Sequence, residues 1–80
     1  MPRCFFNIKD GETVLDEEGV ELVDLAAIQH EALHSTAGMI QSMEGQHFWS
    51  GEPWELWVTD QPSGGGSRLF TLVLTARGAS

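Results

Sequence analysis

Hydrophobic and polar positions alternate with period two over residues 3 to 9, Arg-Cys-Phe-Phe-Asn-Ile-Lys, which places Cys4, Phe6 and Ile8 on one face of a strand. Asp10-Gly11 follows as a two-residue turn tolerant of positive φ, and Glu12 to Asp16 reads as the returning strand of a hairpin. Asp16-Glu17-Glu18-Gly19 is a polar connection, and Val20 to Val23 leads the chain toward a helix. Asp24 is suited to cap that helix, because its carboxylate accepts orphan amide protons at the favourable end of the dipole. Val23 and Ile28 stand at the two positions of a hydrophobic staple.

Beyond Asp24 the period changes. At about 100° per residue, Leu25, Ile28, Ala32, Thr36, Met39 and Met43 share one stripe, widened on one side by Gln29, Leu33 and Ile40. Gly45 is a natural stop for the helix. After Gln46 to Gly51, a polar and aromatic connection, alternation resumes from Pro53 to Asp60, with Trp54, Leu56 and Val58 on one face and Glu55, Trp57 and Thr59 on the other. Gln61 to Gly66 reads as a flexible loop, and Ser67 to Ala76 as the last strand, with Phe70, Leu72, Leu74 and Ala76 facing one way.

The order ββαββ predicts a single α+β domain over residues 1–80, in two layers, with one amphipathic helix across an antiparallel sheet. One helix covers only one side. The other side is expected to carry Phe5, Trp57, Leu69 and Val73, an apolar patch that Phe48 and Trp49 of the preceding loop could cover or that a second copy could meet.

Charge narrows the partners. Twelve Asp and Glu against four Lys and Arg give a net charge of -8, the opposite of the basic footprint that nucleic acid requires, and the same field repels anionic membranes. All twelve acids fall between Asp10 and Asp60, whereas Arg3, Lys9, Arg68 and Arg77 lie toward the two ends. With 80 residues, only about 60% of the unfolded surface can be buried, so a partner subunit would add stability. A lone cysteine, Cys4, the absence of an apolar signal run near the N-terminus and the lack of a membrane-length segment make a cytoplasmic location the expectation. Cys4 itself faces inward on its strand and reads as a small buried hydrophobe.

One motif carries chemistry on paper. His30-Glu31-Ala32-Leu33-His34 matches H-E-x-x-H on a helix, the pattern in which two His bind Zn²⁺ and the Glu activates its water. Both His fall away from the apolar stripe, toward solvent. The extended third-ligand pattern fails, since residue 37 is Ala and residue 40 is Ile. Glu44 and His47 are the remaining third-ligand candidates. The acidic run Asp16, Glu17, Glu18, Glu21 and Asp24 lacks calcium-loop spacing, and Gly64-Gly65-Gly66-Ser67 lacks the Lys and helix of a phosphate loop. No catalytic residue, metal or other cofactor is assigned.

Several of these residues together carry a resemblance. Met1-Pro2-Arg3-Cys4-Phe5-Phe6, the Asp10-Gly11 turn, the stretch from Asp16 through Gly19, Glu21, Leu22 and Asp24, and Glu31-Ala32-Leu33 resemble a family of small rhizobial and other alphaproteobacterial proteins classed as a domain of unknown function. The resemblance implies no activity. Its relatives more often have Tyr at the position of Cys4 and other polar residues at those of His30 and His34.

The expectation is therefore a cytoplasmic, non-enzymatic protein-interaction module that self-associates, its acidic surface suited to a basic protein partner. A small zinc-dependent hydrolase built on His30, Glu31 and His34 is one alternative. An antitoxin-like partner of a basic protein is the other.

Overall fold

A computed structural model describes residues 3–42 and 47–78. Five strands and one long helix are ordered β1 (Arg3–Asp10), β2 (Glu12–Val14), β3 (Val20–Glu21), α1 (Leu25–Gln41), β4 (Trp54–Thr59) and β5 (Arg68–Leu74). The α+β architecture is the one the alternation and helical periods predict. The sheet runs β2-β1-β4-β5, antiparallel throughout, so the two hairpins join through β1 and β4.

The returning strand of the first hairpin is shorter than expected. β2 pairs with β1 only from Asp10↔Glu12 to Ile8↔Val14, pivoting on Gly11, whose φ is +74°. The chain then leaves the sheet at Leu15 and rejoins it as β3, which pairs with the start of β1 through Arg3↔Glu21 and Cys4↔Val20. β1 is thus flanked by two short strands with a loop between them.

Directly paired residues share a face, and the registers assemble Cys4, Phe6, Ile8, Trp54, Leu56, Val58, Phe70, Leu72 and Leu74 on one side. Against it lies α1. Asp24 caps the helix, its Oδ1 accepting from the Ala27 amide at 2.8 Å. Ile28 and Ala32 are the helix residues fully buried against Cys4, Trp54, Leu56 and Val58. The buried line is rotated from the expected stripe: Ala27, Glu31 and Ser35 turn partly inward, whereas Leu25 and Leu33 are exposed. The helix ends at Gln41, with Ser42 donating from both its amide and its Oγ to Met39 O, earlier than Gly45 would have stopped it. Met43, Glu44 and Gly45 lie outside the described residues.

A short 3-10 turn at His47–Ser50 brings Phe48 into this same core, with Trp49 stacked at 4.8 Å between ring centroids and exposed. The expectation that Phe48 and Trp49 cover the opposite sheet face is thereby corrected. Phe48 instead belongs to the helix-side core, with Ile28, Ala32 and Trp54.

Candidate interaction surface

The face of the sheet away from α1 is held by a polar staple. Asn7, fully buried, donates from Nδ2 to Thr59 Oγ1 at 3.1 Å and to the carbonyls of Phe5 and Trp57 at 3.3 Å. Its Oδ1 accepts the Asp16 amide at 3.0 Å. Asp16 in turn accepts the Phe6 amide at Oδ2 and the Glu18 and Gly19 amides at Oδ1, the local geometry of an Asx turn. Burial alone would raise the Asp16 carboxyl, but the amides of Gly19, Phe6 and Glu18, with the charge of Arg3, outweigh it and hold the carboxyl below its ordinary range. Asp16 thereby occupies the flank of β1 that neither β2 nor β3 reaches.

The second loop joins the staple. Ser63 donates its amide to Asp16 O at 2.9 Å and its Oγ to Glu17, and Asp60 closes the loop base through Ser67. Gln61 to Gly66 is therefore an anchored turn, with Pro62–Gly64 as a short 3-10 segment, instead of a flexible linker. At Gly19, φ is +69° and a Cβ would stand 2.7 Å from both the Phe5 ring and the Cys4 carbonyl. Only Gly fits there. Arg3 completes the cluster by donating to Glu18 O at 2.7 Å and pairing with Glu21 at 3.5 Å.

The four residues expected on an apolar open face divide. Phe5 is 5% exposed and packed beside the bend at Gly19. Trp57 is half-buried beneath Arg68, whose guanidinium carbon lies 5.1 Å from the ring centroid. Leu69 sits in a β-bulge, because Val58↔Phe70 is followed by Thr59↔Arg68 and leaves it without an opposite residue. Val73 is 57% exposed. Lys9 and Glu55 pair across β1 and β4 on this face, so it alternates charge with carbon and is not one apolar patch.

His30 and His34 are exposed on the outer side of α1, while Glu31 is partly turned inward and accepts from Ser35 Oγ at 3.5 Å. Among the described residues no group of three or more His, Cys, Asp or Glu is placed to hold a metal ion. Glu44 lies outside the described residues. Burial, reinforced by the negative charge of Asp60, pushes the Cys4 thiol upward, away from the reactive thiolate. Among the described residues no helix is long and apolar enough to cross a membrane.

An apolar groove lies on the helix side, at the edge of β5. Leu33, 61% exposed, and Gln29 overhang Phe70, Thr71 and Leu72, enclosing a groove of about 350 Å³. Beside it runs the outer edge of β5, a strand with no charged residue after Arg68 and no Pro. Sequence periodicity placed Leu33 over the sheet and so concealed this groove; the uncharged run Leu69 to Ala76 was the available signal.

A family model, Domain of unknown function (DUF6894), matches residues 3–75. The chain belongs to this family. Within the match, Arg3, Asp16, Gly19, Glu21 and Asp24, residues that carried the resemblance, all act in the staple, the flanking strand or the helix cap. These residues hold the fold together, and the family is one of unknown function. Neither the curated proteins nor the solved structures yield a match.

Proposed function

We propose that this domain is a non-enzymatic protein-interaction module that associates with copies of itself. The observation that supports this reading is the contrast between the two sheet edges. On one side, β2 has three residues, β3 has two, and the Asp16 loop covers the flank of β1 between them. On the other, β5 offers seven residues of edge whose only charge is the leading Arg68. Natural edge strands are usually blunted by charge, Pro or brevity, and a long uncharged one is a template for another strand.

Charge favours the same edge. Residues 67 to 80 contain Arg68 and Arg77 and no Asp or Glu, so two chains of net charge -8 repel each other least when they meet there. Concentration-dependent sedimentation is expected, with self-association strengthened by salt as the repulsion is screened. A species that stays monomeric at high concentration and brings down no partner from cells would overturn the proposal.

A further inference from the structure

Resting on that self-association, we infer that the second copy docks on β5 about a two-fold axis perpendicular to the sheet, merging the two α1–β5 grooves into one. Two identical β5 edges can pair antiparallel about such an axis, and this operation keeps both helices on the same side of the joined sheet. The path β2-β1-β4-β5 then continues through the partner's β5 to its β2, and the long open edge of each β5 disappears. A two-fold lying in the sheet plane would put the helices on opposite sides and leave each groove open.

The groove supplies the reason for the first arrangement. Phe70 and Leu72 belong to the helix-facing side of the sheet yet remain only partly buried, whereas the buried helix residues Ile28 and Ala32 cluster with Cys4 of β1 and with Trp54, Leu56 and Val58 of β4. Leu33 overhangs them from the helix with most of its side chain in water. In the dimer, Phe70 and Leu72 of both copies floor a single trough, and the two Leu33 side chains face each other across it.

Sedimentation of three variants of the full chain tests the inference. Leu33→Asp is expected to weaken self-association at least tenfold while the far-ultraviolet circular dichroism stays native, since Leu33 is exposed in the single chain. Val73→Lys, which places a charge on the joined edge, is expected to weaken it likewise. Val14→Asp, at the opposite edge of the sheet and equally exposed, is expected to change nothing. If the wild-type chain dimerises but Leu33→Asp dimerises as well as wild type, the shared groove is overturned and self-association stands. If Val14→Asp alone disrupts the dimer, the β5 edge is the wrong one. A monomeric wild-type chain overturns both readings.

Discussion

Replacing Asp16 with Ala removes one side chain that three backbone amides use, those of Phe6, Glu18 and Gly19, at 3.0–3.1 Å. The Phe6 amide is the costly one. It lies on the flank of β1 where no strand follows, so it is left part-buried without an acceptor, at about 1–3 kcal/mol. The Glu18 amide is exposed and regains water, and with Gly19 it adds about 1 kcal/mol. The loss is thus about 2–4 kcal/mol, against a total of about 4–12 kcal/mol for a domain of this length. Urea denaturation followed by circular dichroism measures it, at one fixed protein concentration because self-association contributes to apparent stability. Asp24→Ala, which removes a solvent-exposed helix cap, is the reference at about 1 kcal/mol. Asp16→Ala should cost clearly more. If it costs no more than Asp24→Ala, the staple is not what holds the loop to the sheet.

The same carboxylate gives a pH test. Its pKa is lower in the folded chain, so its contribution is fully present above the unfolded value near 3.9 and is lost as pH falls through the lower folded value. Wild type should therefore lose stability below about pH 4 more steeply than Asp16→Asn, and parallel curves for the two would contradict the assignment.

Three further outcomes follow from the packing. Gly19→Ala, which needs both a left-handed backbone and room beside the Phe5 ring, should destabilise by more than ~1 kcal/mol in the same denaturation assay, and a neutral result would mean the bend at Gly19 is looser than described. Phe48→Ala should cost about 3–5 kcal/mol and Trp49→Ala under about 0.5 kcal/mol, opposite in rank to what their sizes suggest, because Phe48 is in the core and Trp49 is not. Cys4 should react with a thiol reagent at a rate limited by unfolding; rapid labelling of the native chain would contradict its burial.

Much of the architecture was legible because the chain's periods are clean. Trp54, Leu56 and Val58 recur with period two and are all buried, and Asp24 caps α1 where a carboxylate precedes an apolar run. The open side of the sheet was less legible. Asn7 and Thr59 occupy strand positions that simple alternation assigns to solvent, and their burial depends on two loops, at Leu15–Gly19 and Pro62–Gly64, that are distant in sequence. Asp16 looked like one of many acids in a solvated connection, although Asp-x-x-Gly is also the sequence of an Asx turn. The helix stripe misled for a different reason. Hydrophobicity put Leu25 and Leu33 toward the sheet, but the helix residues buried against Trp54 and Leu56 are Ile28 and Ala32, and Leu33 is left over the groove.

The docking of a second copy on β5 is most directly read by amide hydrogen exchange of the full chain across a range of concentrations. Pairing covers the outward amides of residues 68–74 and leaves those of residues 12–14 at the opposite edge as they were. The account predicts that exchange slows along β5 as concentration rises and stays constant along β2; exchange in β5 that is independent of concentration, or slowing confined to β2, would contradict it.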